Sequence, residues 1–140
     1  MNREDYIELI RMALKEDLGE NGDITSESIL QGKKCTAYLK SKDTGILAGM
    51  QVFCDVFREI DKDVVIKENN TDGDILEYGD IVCEITGSAI SILKAERIAL
   101  NFICFLSGIA SETNRYVKKA EENGSIRILD TRKTLPGYRN

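Results

Sequence analysis

Ile128-Leu129-Asp130-Thr131-Arg132-Lys133-Thr134-Leu135-Pro136-Gly137-Tyr138-Arg139 is a short apolar run that breaks into threonines and cations and then meets a Pro-Gly turn. The pattern predicts a strand whose carboxyl end carries polar side chains. Open and barrel α/β folds bind their ligands at that end of the strand. Arg132 offers a planar fork matched to a carboxylate or phosphate, Lys133 a compact point charge, and Thr131 and Thr134 hydroxyl donors. Between Arg127 and Arg139 there are four cations, Arg127, Arg132, Lys133 and Arg139, against one anion, Asp130. Such a cluster suits a small polyanion, although a strand end decorated with solvated charges has the same composition.

The rest of the chain narrows the chemistry. Its 140 residues are enough to bury a core. A net charge of −5 argues against nucleic acid held through a basic surface. No apolar run approaches the roughly 20 residues that span a bilayer. The start, Met1-Asn2-Arg3-Glu4-Asp5-Tyr6, lacks the pattern of a secretory signal. A cytoplasmic protein with neither a membrane nor a nucleic-acid partner is expected. The absence of histidine removes Ser-His and Cys-His nucleophile arrangements. Cys35, Cys54, Cys83 and Cys104 are widely spaced, without a Cys-x-x-Cys pair, and read as ordinary buried thiols rather than metal ligands.

Read in order, residues 4–18 form an amphipathic helix with Tyr6, Ile7, Leu9, Ile10, Ala13, Leu14 and Leu18 on one face, Met12 outside it, and Gly19 as its stop. After the Gly22-Asp23 turn, Thr25 or Ser26 is expected to cap a short helical turn. Alternation from Cys35 to Ser41 predicts a half-buried strand. Gly45 to Ala48 predicts a second strand, and 50–60 a helix with Met50, Phe53, Val56, Phe57 and Ile60 at core spacing. Further strands are expected over Asp63–Lys67, Ile75-Leu76 and Ile81–Thr86, divided by the turn clusters 69–74 and Tyr78-Gly79-Asp80. Ser88 is placed to cap a long helix over 89–107 that continues from 109 to 123, with Ile90, Leu93, Ile98, Phe102 and Phe105 as its apolar positions. Gly108 marks either a close helix contact or a break. Arg97 interrupts the apolar pattern of this helix, so it either snorkels to water or needs a partner that its neighbour Glu96 is poorly placed to be.

Asp-Thr-Arg-Lys-Thr-x-Pro-Gly-x-Arg, from Asp130 to Arg139, resembles the signature of the quinolinate phosphoribosyltransferases, the carboxylating nicotinate-nucleotide pyrophosphorylases. Three further stretches agree in order. They are Glu16-Asp17-Leu18-Gly19 leading to Gly22-Asp23-Ile24-Thr25, then Gly45-Ile46-Leu47-Ala48-Gly49, then Leu93-Lys94-Ala95-Glu96-Arg97-Ile98-Ala99-Leu100-Asn101 running into Leu106-Ser107-Gly108-Ile109-Ala110. The short strands and Gly-Asp turns also resemble the hammerhead-like sheet of biotinyl and lipoyl carriers, without their modifiable lysine triplet. A noncatalytic carrier module is therefore one alternative. Another is a related nicotinate phosphoribosyltransferase, or the paralogue found with molybdate-transport genes.

The family resemblance implies an α+β fold. An amino-terminal hammerhead-like open-faced sheet with helices over 1–108 would be followed by the first helix and strand of an incomplete α/β barrel over 109–140. It implies that quinolinate and phosphoribosyl pyrophosphate meet in one pocket, where several preorganised cations offset their repulsion. Arg132 and Thr131 would bind substrate, and Lys133 would act between the two substrates as a substrate-binding and catalytic residue. Arg97 would reach across a homodimer interface to a substrate carboxylate in the neighbouring subunit. Magnesium (Mg2+) would accompany the pyrophosphate on ligands outside this chain. The ring nitrogen would displace pyrophosphate at the anomeric carbon, and the resulting pyridinium would serve as the electron sink for loss of carbon dioxide, giving nicotinate mononucleotide for NAD biosynthesis. Members of the family are about twice this length, so the chain is expected to be an amino-terminal piece of such an enzyme, inactive by itself.

Overall fold

The computed structural model describes residues 3–20, 22–122, 124, 126–131 and 133–134. A single 3-10 turn at Arg3–Asp5 leads into α1 (Ile7–Leu18), whose face of Tyr6, Ile7, Ile10 and Leu14 is buried while Met12 is exposed, as its 3.6-residue period requires. Gly19, at φ +56°, ends it. Next comes α2 (Ile24–Ile29), and its cap is Asp23, whose carboxylate accepts a hydrogen bond from the Ser26 N–H at 3.0 Å. The expected caps Thr25 and Ser26 lie inside the helix. Asp23 precedes the first helical residue and so has the non-helical backbone and short acceptor that an N-cap needs.

Five short strands follow, interrupted by one helix: β1 (Lys34–Lys40), β2 (Gly45–Ile46), α3 (Met50–Ile60), β3 (Val65–Glu68), β4 (Ile75–Leu76) and β5 (Ile81–Ser88). β5 is the centre of an antiparallel sheet ordered β1-β5-β3, and β2 and β4 pair separately. The register sets Ala37, Ile85 and Ile66 in one row and Tyr38, Glu84 and Lys67 in the next. The first row faces the core. The second faces outward with Thr36 and Thr86, whose hydroxyls meet at 2.9 Å. The result is α+β, with one sheet face covered by helices. α3 is buried nearly all round, and its Phe53 and Phe57 rings pack 5.1 Å apart.

From Ser88, whose hydroxyl caps Ser91 N–H, α4 (Ala89–Glu121) runs without interruption for 33 residues. The expected break or close contact at Gly108 is not found. A Cβ there would meet nothing within 4 Å, so this glycine costs only its intrinsic preference, about 1 kcal/mol. The buried stripe is Ile92, Ala95, Ile98, Ala99, Phe102 and Ile103, whereas Leu93 and Phe105, expected in it, are exposed. Alanines carry little apolar signal but permit close packing, so the stripe follows them. Every other helix and the strands β1, β2 and β5 touch α4.

One seam shows how close the approach is. The Ile46 N–H donates to Ser111 Oγ at 2.8 Å and the Ala48 N–H to Ser107 Oγ at 3.0 Å. A Cβ on Gly45 would lie 2.7 Å from Ser111 Oγ, and one on Gly49, at φ +94°, 2.5 Å from Leu106 Cδ1. Asp72 completes the joint by accepting from the Gly49 and Met50 N–H groups, capping α3.

Two expectations are corrected at the surface. Cys35 and Cys104 are exposed, and only Cys54 and Cys83 are buried. Residues 126–131 form no strand and are exposed, because a strand needs a neighbour to take its backbone hydrogen bonds and none lies alongside among the described residues.

The core contains one carboxylate. Asp55, with its side chain only 3% exposed, accepts from the Tyr6 hydroxyl at 2.7 Å and Arg58 at 3.2 Å, with Arg3 Nε 3.4 Å away. Burial by itself would raise this carboxyl. Hydrogen bonds from Tyr6, Gln51 and Arg58 and the charge of Arg3 outweigh it and hold Asp55 below the usual carboxylate range. Burial first, then the bond to Asp55, push the Tyr6 hydroxyl well above its usual value. Because the folded-state value of Asp55 is lowered, its contribution is complete above the unfolded carboxyl value near pH 4 and disappears as pH falls through the folded one. Asp55→Ala is expected to cost about 2 kcal/mol at pH 7, by stranding the Tyr6 hydroxyl. It is also expected to flatten the acid limb of stability, as read from urea midpoints between pH 7 and pH 3.

Candidate functional site

Lys94 and Arg97 stand three residues apart on α4, and therefore on one face. Across from them lie the carboxyl end of α1 and the Gly22-Asp23 turn. Together these enclose an open groove of about 600 Å³ lined by Asp17, Gly22, Asp23, Lys94, Glu96 and Arg97. Lys94 Nζ is held by Glu27 of α2 at 2.5 Å. Arg97 Nε lies 3.2 Å from Asp17 Oδ1, with the arginine side chain 75% exposed and the aspartate 25%. The arginine thus both reaches water and has a partner on another helix. Hydrogen bonds from Ser26 hold the Asp23 carboxyl below its ordinary value, so the groove keeps that negative charge.

Asp17, Asp23 and Glu96 outnumber the two cations of the lining, and Lys94 is further neutralised by Glu27. A free anion is not drawn into the groove as a whole. What remains available is the outer end of Arg97, whose terminal nitrogens donate no hydrogen bond to any described residue.

Thr131 and Lys133 are absent from the lining of this groove. Thr131 and Lys133 are exposed and tied only locally, the Lys133 N–H donating to Thr131 Oγ1 at 3.2 Å. Arg132 and Arg139, with the Pro136-Gly137 turn, fall outside the described residues. Among the described residues no hydrogen bond or ion pair joins Arg97 to Thr131 or Lys133. About 36 Å of helix separates Arg97 from Glu121, at 1.5 Å per residue.

A second groove, about 550 Å³ and mainly apolar, opens between the β1–β2 turn and α4, with Leu39, Leu47, Leu76, Leu100 and Ile103 in its walls. The buried thiols are poor nucleophiles. Burial pushes Cys54 up to about 12, helped by Glu68 with Oε1 3.6 Å from its Sγ, and pushes Cys83 up to about 11. Among the described residues no group of three or more His, Cys, Asp or Glu is arranged to hold a metal ion. No helix among them is long and apolar enough to cross a membrane.

Sequence reasoning singled out Arg97 but not its partner. Asp17 stands in the quoted Glu16-Asp17-Leu18-Gly19 stretch, yet nothing local ties it to a helix so far along the chain. Lys94 and Glu27 were equally silent, because their pairing depends on α2 lying across α4.

A family model described as the quinolinate phosphoribosyl transferase N-terminal domain matches residues 23–107. A probable carboxylating nicotinate-nucleotide pyrophosphorylase of Bacillus subtilis (strain 168) is 38% identical over 139 residues, covering 99% of this chain and 47% of that protein. Its counterpart in Methanocaldococcus jannaschii is 41% identical over 135 residues, covering 94% of this chain and 46% of that protein. Among solved structures, NadC from Streptococcus pyogenes superposes with a TM-score of 0.90 at 39% identity, covering 97% of this chain and 49% of that one. The nicotinate-nucleotide pyrophosphorylase from Francisella tularensis gives 0.92 at 34% identity, covering 99% and 49%. The chain spans about half the length of the curated relatives it matches.

An arginine so exposed supports little of the fold. Arg97→Ala is expected to change stability by less than about 1 kcal/mol, as read from the urea midpoint. Any loss of function in that variant is then attributable to the missing guanidinium.

Proposed function

Because the chain belongs to the quinolinate phosphoribosyltransferase family, in its N-terminal domain, we propose that it serves as the amino-terminal half of an enzyme converting quinolinate and phosphoribosyl pyrophosphate to nicotinate mononucleotide, pyrophosphate and carbon dioxide. In this reading residues 1–108 form the domain that carries Arg97, and 109–140 lead into an α/β barrel. Arg132 and Thr131 bind quinolinate there, and Lys133 lies between the two substrates. Magnesium arrives with phosphoribosyl pyrophosphate rather than on this chain.

The observation that carries the reading is the disposition of Arg97. Its guanidinium is backed by Asp17, its outer end is unengaged, and nothing joins it to Thr131 or Lys133 within the chain. An exposed arginine with unengaged terminal nitrogens suits delivery into the site of a second subunit. A bidentate fork at the rim of a domain matches a carboxylate geometrically, which a lysine in its place would not. A desolvated pocket shared by two subunits would then supply the positive charge that a dicarboxylate and a pyrophosphate together require.

Calorimetric titration of the full-length enzyme with quinolinate tests this directly. Wild type is expected to bind, and Arg97→Ala and Arg132→Ala each to lose binding by at least about 10-fold, with the dimer intact by light scattering. A wild type that ignores quinolinate, or variants that bind as it does, would sink the assignment. Carbon dioxide release separates quinolinate from nicotinate as substrate. The 140-residue chain by itself is expected to show no turnover, and measurable product from the purified chain would overturn the division of labour described.

A further inference from the structure

Asp17 has a geometry that a simple surface ion pair does not require. Its Oδ1 lies 3.2 Å from Arg97 Nε as an ion pair, while the two terminal nitrogens donate no hydrogen bond to a described residue. The aspartate is three-quarters covered and the arginine three-quarters exposed, so the fixed member of the pair is the carboxylate. It is fixed because it rides on α1, whose Ile10 and Leu14 are buried in the core and whose end is closed by the Gly19 N–H donating to Lys15 O at 3.0 Å. Glu96, adjacent in sequence, lines the same groove but makes no ion pair with Arg97. Lys94, one turn earlier, is held by Glu27 and so does not compete for Asp17.

We propose that Asp17 is a positioning residue for Arg97: it holds the guanidinium by its Nε edge, leaving the terminal fork directed outward to take a carboxylate. This rests on the proposed function for the identity of that carboxylate, but the holding contact itself belongs to this chain. The physical benefit is preorganisation. A flexible arginine loses rotamer freedom when it binds, and a partner on a rigid helix removes part of that loss in advance.

The test combines a local readout with kinetics in the full-length enzyme. In ¹⁵N spectra at pH 6, the Arg97 Nε–H signal is expected to hold its position in Asp17→Glu and to move toward that of a free arginine in Asp17→Asn. Asp17→Asn is expected to raise the KM for quinolinate roughly five-fold, the scale of one exposed ion pair. Its kcat and its KM for phosphoribosyl pyrophosphate should stay within about two-fold, and Asp17→Glu should recover most of the loss. If the Nε–H signal is the same in Asp17→Asn as in wild type, the proposal is overturned whatever the kinetics. An Asp17→Asn enzyme whose Nε–H signal moves but which keeps its KM, or raises both KM values alike, overturns it too. A wild type inactive on quinolinate defeats the functional reading instead, and the Nε–H comparison then decides alone whether Asp17 holds Arg97.

Discussion

Two serines one turn apart on α4, Ser107 and Ser111, take the N–H groups of Ala48 and Ile46, and this contact sets the position of everything else. It satisfies the edge of a two-residue strand that has only β4 on its other side. It demands that the backbone come so near the helix that Gly45 and Gly49 have no room for a Cβ. Gly49 is also where α3 begins, so one joint fixes both the register of α4 against the short sheet and the starting point of the helix beneath it. A side chain at Gly45 would displace the Ser111 hydroxyl that takes the Ile46 N–H, and one at Gly49 would press on Leu106 in a backbone conformation that L residues rarely adopt.

The charges divide into two populations with different physics. Asp55, Tyr6, Arg3 and Arg58 form an interior network in which a carboxylate out of water is met by several donors at once. Arg3 and Arg11 extend it to Glu59 at the surface, tying the start of the chain to α3. At the groove between α1, α2 and α4 the pairs are single contacts open to water, each adding little to stability. Arg97 is thereby free to spend its remaining donors on something outside the chain. Lys94, whose side chain is far more covered, is not.

Helix α4 connects these regions mechanically. Its first half is packed on α3 and the sheet, whereas beyond Ile103 none of its described side chains is fully buried. Over its length of about 50 Å it is held by the core through Ile103 and by Ser107 and Ser111 beyond it. Ile126, Ile128 and Leu129, beyond the helix, are exposed.

By itself the sequence determined the kind and order of the elements. Apolar periodicity located α1 and α3, alternation located β1, glycine and aspartate clusters located the turns at 69–74 and 78–80, and Ser88 located the start of α4. Each of these signals acts over a few residues of backbone. It also carried the family, because the Gly-Ile-Leu-Ala-Gly stretch and the Glu-Arg-Ile-Ala-Leu-Asn stretch are local strings. Only the tertiary structure decided which face of α4 is buried, since Ala95 and Ala99 gain their role from what lies against them and Leu93 and Phe105 lose theirs for want of it. It alone decided that α4 passes Gly108 unbroken, that Asp23 rather than Thr25 or Ser26 caps α2, and that Asp55 is buried with four partners. Above all it paired Asp17 with Arg97. A charge finds its partner through space, and two helices far apart along the chain become neighbours only when the core between them has formed.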